Sequence, residues 1–194
     1  RKRASLLTLH NLSFQGVFPL ETLTQLRLPA ASFDINGAEY YGGMSFLKAG
    51  LYYSDHIATV SPTYAREIQT APLGFGMQGL LAGRRQHITG ITNGIDTAEW
   101  NPATDPALAR NYTAGNLAAK AANKRALQQL LGLVVDPDIP LFGVVSRFTY
   151  QKGYDLLQQV AAQLTEIPAQ LAVLGSGEAL LEQELAAIAK NNSG

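Results

Sequence analysis

The sequence has no cysteine, which excludes disulfides and thiolate metal sites and fits a reducing compartment. It also has no net charge. Fifteen Lys and Arg are matched by fifteen Asp and Glu, so no overall field draws the chain toward nucleic acid or an anionic membrane. Any anion site must therefore be local. The one basic cluster, Arg1-Lys2-Arg3, reads as a solvated chain end. Histidine is scarce, with single residues at 10, 56 and 87 and no pair at ligand spacing, so no metal site is expected. No apolar run approaches the roughly 20 residues of a membrane span. The apolar stretch after Arg3 is too short for a signal peptide, because His10 and Asn11 interrupt it.

What the chain does have is apolar residues, 46% against 15% charged, which is enough to bury a sizeable core. Its 194 residues suit one domain or adjoining parts of two, and the pattern favours the second. Residues 5–9 read as a buried strand stopped by His10-Asn11. Residues 43–53 carry helical spacing through Met44, Leu47 and Leu51, and 56–60 is a strand. Ser61-Pro62 opens a helix reaching Ile68, with serine as the cap and proline in the first turn. The glycine-rich 74–83 reads as an apolar loop or short helix, and 87–92 as a strand closed by a turn at Asn93-Gly94. Residues 117–131 form an Ala/Leu helix capped by Gly132.

The stretch 134–140, with two prolines and two aspartates, is the expected linker between a first domain at 1–133 and a second at 141–194. Beyond it, strand 141–146, helix 154–164, strand 169–174 and helix 180–189 make a βαβα unit. Two strands are fewer than an open sheet needs, so the expectation is a chain truncated at both ends.

The segment Ser146-Arg147-Phe148-Thr149-Tyr150-Gln151-Lys152-Gly153 carries the sharpest chemistry. A strand delivers Arg147 at its carboxyl end, and Lys152 precedes a glycine and a helix. Ligands of open α/β sheets bind beyond such strand ends, and the helix N-terminus adds partial positive charge. An Arg fork and a Lys point charge together suit a diphosphate, although the same spacing is met in exposed loop cations. Gly175-Ser176-Gly177 follows the next strand, where backbone amides can approach a phosphate or simply turn tightly. His10-Asn11 and Asn93-Gly94-Ile95-Asp96 end strands with groups that suit sugar hydroxyls and equally suit caps and turns. Trp100 and the tyrosines at 40, 41, 52, 53 and 64 can stack on sugar rings or pack in a core.

Taken in order, His10-Asn11-Leu12-Ser13-Phe14-Gln15-Gly16, Ser45-Phe46-Leu47-Lys48-Ala49-Gly50-Leu51 and Thr59-Val60-Ser61-Pro62-Thr63-Tyr64-Ala65-Arg66-Glu67-Ile68 form a series. Asn93-Gly94-Ile95-Asp96 with Glu99-Trp100-Asn101-Pro102, and Ser146-Arg147 with Gln151-Lys152-Gly153, complete it. The series resembles bacterial glycogen synthases and plant starch synthases along essentially the whole chain.

The resemblance implies an α/β fold of the GT-B type, with parts of two facing Rossmann-like domains. It implies retaining glucosyl transfer from ADP-glucose to an α-1,4-glucan, with no cofactor, no metal, and no nucleic-acid or membrane partner. Arg147 and Lys152 are then expected to bind the donor diphosphate and stabilise its departure. His10 and Asn93 would contact the donor glucose, Asn11, Asp96 and Gln151 would support them, and Gly175 and Gly177 would approach the donor. The setting would be a bacterial cytoplasm, or a plastid in a plant. The family's Lys-x-Gly-Gly donor loop and its later glutamate pair are not in this sequence, so the expectation is an incomplete enzyme, inactive alone. The rivals are another retaining two-domain glycosyltransferase and a non-catalytic nucleotide-binding or glucan-binding module.

Overall fold

The structure is a computed structural model that describes residues 3–164 and 166–192; Arg1 and Lys2 of the basic cluster lie outside them. Contacts divide the chain into two compact units, Arg1–Ile95 and Asp96–Gly194.

In the first unit, β1 (Leu6–Leu9) leads into a small antiparallel sheet built from β2 (Val17–Phe18), β3 (Glu39–Tyr40) and β4 (Gly43–Ser45), with α1 (Glu21–Gln25) beside it in sequence. The strands of this sheet are two or three residues long, too short to show alternation, and the sequence pattern does not reveal them. Then come α2 (Phe46–Tyr53), β5 (His56–Thr59), α3 (Pro62–Glu67), α4 (Gln78–Gly83) and β6 (Ile88–Gly90). β1, β5 and β6 form a parallel sheet in the order β1-β5-β6, with Leu9 opposite Thr59 and Thr59 opposite Gly90. Helices between successive parallel strands supply the crossovers such pairing requires.

The caps explain where the helices start. Ser45 Oγ accepts from Lys48 N at 3.0 Å, and Ser61 Oγ accepts from Tyr64 N at 3.2 Å with Pro62 in the first turn, as the sequence predicts. The α2 end is held differently: the Arg84 guanidinium donates to the carbonyls of Leu51, Tyr52, Ser54 and Asp55. Leu9, Leu12, Leu51, Ile57, Ile68, Met77 and Leu81 form the buried core of this unit. Burying each such side chain contributes about 1.5–3 kcal/mol.

The second unit holds α5 (Lys120–Leu130), β7 (Leu141–Val145), α6 (Tyr154–Leu164), β8 (Gln170–Leu174) and α7 (Ala179–Asn191). β7 and β8 pair in parallel from Leu141 opposite Gln170 to Val145 opposite Leu174. Gly132 ends α5 at φ 68°, with Leu133 N donating to Gln128 O and Gly132 N to Gln129 O, the paired bonds of a Schellman cap. Phe148, Tyr154 and Leu181 form its small core.

Two sequence expectations shift. The division falls between Ile95 and Asp96, and 134–140 lies inside the second unit. The reason is a buried amide chain. Gln128 Nε2 donates to Gln170 Oε1 at 2.8 Å and to Asp136 O at 3.0 Å, while Gln170 Nε2 donates to Val134 O at 2.7 Å. This binds α5 and the Pro/Asp stretch to β8. The turn expected at Asn93-Gly94 is not formed, because residues 91–96 run on without turn or regular structure after β6.

Candidate functional site

In the second unit, β7 runs straight into the loop that carries Arg147, Gln151 and Lys152, all three exposed. The loop is fixed from below. Phe148 is buried, its ring meets Tyr154 edge-on at 4.6 Å, and Tyr154 Oη donates to Ser146 O at 3.2 Å. Lys152 N donates to Thr149 O and Gly153 N to Tyr150 O, and Gly153 adopts φ 75°, the left-handed conformation that lets the chain turn into α6. Two cations thus flank a buried anchor at the carboxyl end of a parallel strand, one residue and six residues past Ser146 in sequence. The first turn of α6 also carries Asp155.

Gly175 and Gly177 stand beside this loop, for a reason different from the one the sequence suggests. Ser146 N donates to Leu174 O, Phe148 N to Ser176 O at 2.8 Å, and Glu178 N to Phe148 O at 2.9 Å. A Cβ on Gly175 would lie 1.9 Å from Ser146 O, and one on Gly177 would lie 2.2 Å from Phe148 O. These glycines let two strand-end loops lie against each other. The Gly177 amide is already engaged, donating to Glu182 Oε1 at 2.8 Å. Here they support the Arg147 loop by admitting this close approach.

In the first unit, His10 and Asn93 follow the carboxyl ends of β1 and β6, the strands on either side of β5, and both are exposed. Asn11 turns inward to its own loop: its Oδ1 accepts from Ser13 N at 2.9 Å and Ser13 Oγ at 2.7 Å. Tyr64 Oη accepts from Leu12 N at 2.9 Å and so holds the loop bearing His10 against α3. Sequence reading treats Tyr64 as a stacking or core ring and misses this positioning bond, which joins residues far apart in the chain. Gly90 is needed where β6 passes the start of α3, because a Cβ there would lie 2.3 Å from Ser61 O. At the start of the second unit, Asp96 Oδ1 accepts from Ala98 N at 2.9 Å and Glu99 N at 3.2 Å, a turn cap that leaves Trp100 exposed.

Among the described residues no group of three or more His, Asp or Glu side chains is placed to hold a metal ion. No described helix is long and apolar enough to cross a membrane. A cavity of about 390 Å³ lies along β8 and α7, lined by Phe142, Leu171, Val173, Leu185 and Ala186 among others. Its lining is largely apolar and includes neither Arg147 nor Lys152, so it is unsuited to a phosphate.

Parallel α/β units with functional loops at the carboxyl ends of their strands are the architecture of GT-B glycosyltransferases. A solved starch synthase shares it: the catalytic domain of starch synthase IV from Arabidopsis thaliana, bound to ADP and acarbose, superposes with a TM-score of 0.87 at 32% identity, over 97% of this chain and 39% of that one. The family model of the starch synthase catalytic domain matches residues 1–83. Glycogen synthases of Nitrosospira multiformis and Nitrosomonas eutropha are each 66% identical, over 100% and 98% of this chain. Along its whole length the chain is similar to members of the glycogen synthase and starch synthase family. It spans 39% and 38% of the length of those two curated relatives.

Proposed function

We propose that the protein containing this chain transfers glucose from ADP-glucose to the non-reducing end of an α-1,4-glucan with retention of configuration, as a cytoplasmic bacterial glycogen synthase. Arg147 and Lys152 bind the donor diphosphate, Gln151 supports them, and His10 and Asn93 contact the donor glucose. Asn11 and Asp96 keep the loops beside those sugar contacts in shape. The second unit then supplies the nucleotide side of the enzyme and the first unit the sugar side.

The observation that carries the reading is the pair of exposed cations on one anchored loop past β7. When the bond between the glucose C1 and the diphosphate oxygen breaks, positive character develops on the sugar and negative charge on the departing diphosphate. Fixed cations aimed at that oxygen favour the transition state over the ground state. The Arg fork grips two phosphate oxygens, while Lys supplies a compact charge. The names of the curated relatives, and the ADP and acarbose in the solved starch synthase, support the choice of donor and acceptor.

Steady-state kinetics of the complete protein test this reading. Arg147→Ala and Lys152→Ala should each lower kcat about a hundredfold or more, a few kcal/mol of transition-state stabilisation. Parent-like kcat in both variants would make them ordinary surface cations. A rise in KM at constant kcat would limit the pair to holding the donor.

A further inference from the structure

Two turns in the first unit break the same rule in the same way. The β3–β4 hairpin pairs Tyr40 with Gly43, so its loop is Tyr41-Gly42, with φ 47° and 83°. A second turn is closed by Met77 N donating to Gly74 O at 2.7 Å, around Phe75-Gly76 with φ 46° and 79°. Positive φ at both central residues is the type I′ pattern, whose first position belongs to Asn, Asp or Gly. Here both first positions hold aromatic residues in a backbone region that bulky side chains avoid.

The two turns touch. Tyr40 Oη donates to Phe75 O at 2.5 Å, the Tyr40 and Tyr41 rings meet edge-on at 4.8 Å, and the Tyr41 ring lies over Gly76. A Cβ on Gly76 would sit 2.6 Å from Tyr41 Oη and 2.8 Å from Cε2, so only glycine admits the ring there. Burial, and the neighbouring Tyr41, push the Tyr40 hydroxyl above its usual pKa, which keeps it neutral as the donor to Phe75. Despite this support Tyr41 is 79% exposed and Phe75 40%. Strain that holds aromatic rings out into solvent contributes nothing to a core, and such outliers mark sites of function.

We propose that Tyr41 and Phe75 form an accessory platform on the first unit on which an α-glucan chain stacks. The proposal rests on the glucan acceptor named above. A glucan is uncharged and presents the C–H faces of successive pyranose rings, which complement exposed aromatic faces. Glu39, the carboxylate of the same hairpin, is engaged with the Gly42 amide and Lys48. Two presented rings suit a chain of sugars better than the broad apolar area a protein partner needs.

The strained turn makes the test clean, because Asn removes the ring and suits the backbone. Glycogen binding by the complete enzyme is measured by native affinity electrophoresis, alongside thermal melting. Tyr41→Asn should weaken binding about fivefold with Tm no lower than the parent's, and Phe75→Asn should act in the same direction. Tyr41→Phe should bind like the parent. Parent-strength binding by Tyr41→Asn overturns the platform, as does loss of binding by Tyr41→Phe. A fall in Tm of Tyr41→Asn overturns it too, because the ring would then be part of the fold. So would a change in oligomeric state without a change in glycogen binding. Glucosyl transfer by the parent is assayed in parallel. No transfer with these binding results intact would refute the function above and leave the platform standing; transfer with unaltered Tyr41→Asn binding would refute the platform alone.

Discussion

Arg147 and Lys152 carry the same charge on one loop, but their shapes differ. A planar guanidinium replacing a compact ammonium beside phosphate oxygens changes both reach and direction. Lys152→Arg should therefore lose most of the activity that Lys152→Ala loses, and circular dichroism should show an unaltered fold. Parent-like activity would mean that charge alone is required. His10 and Asn93 are exposed and lie past the carboxyl ends of the parallel strands β1 and β6. His10→Ala and Asn93→Ala in the complete protein should lower turnover while leaving the melting temperature in place. Full activity in either, or collapse of both, would return them to caps and turns. Asn11 and Asp96 are engaged with neighbouring amides, so their replacement should act through the loop. Such caps are typically worth about 1 kcal/mol.

Between elements, glycine does much of the positioning. At Gly175 and Gly177 the contact atoms are backbone carbonyl oxygens, which cannot swing aside. Gly177→Ala should destabilise the fold by about 1–3 kcal/mol, read from urea unfolding, with loss of function following from displacement of the Arg147 loop. An unchanged midpoint would show that the loops can separate freely. The sequence made the strands at 6–9, 56–59 and 141–145, the Ser61 cap and the Gly132 stop legible, since each rests on local pattern or cap chemistry. It did not make the partner of Gly177 legible, because the clash with Phe148 and the bond to Glu182 arise only once β7, β8 and α7 come together. The small antiparallel sheet and the paired Tyr41 and Phe75 turns were equally hidden. Two-residue strands carry no period, and a left-handed aromatic residue contradicts the preference that sequence reading relies on.

At the scale of the molecule, the Pro/Asp stretch at 134–140 has the composition of a linker but is tied down by Gln128 and Gln170, whose bonds span 42 residues of sequence. Breaking that buried pair from one side, as in Gln170→Leu, leaves Gln128 Nε2 with Asp136 O alone and removes the amide that Val134 O accepts from, and about 1–3 kcal/mol of stability should be lost. Thermal melting checks it, and an unchanged Tm would contradict the assignment of α5 to the second unit. Val145 and Leu174 remain largely exposed at the ends of the two-stranded β7–β8 sheet. Expressed alone, the 194-residue chain should thus associate at micromolar concentration, and size-exclusion chromatography showing a well-behaved monomer would contradict this. The most direct test of the account is donor-dependent transfer by the complete protein: labelled glucose from ADP-glucose, glycogen as acceptor, and the new linkage read by NMR. The prediction is incorporation as α-1,4-linked residues, abolished to within about a hundredth of the parent rate when Arg147 and Lys152 are both replaced by alanine. No incorporation, a β-configured product, or undiminished transfer in the double variant would contradict it.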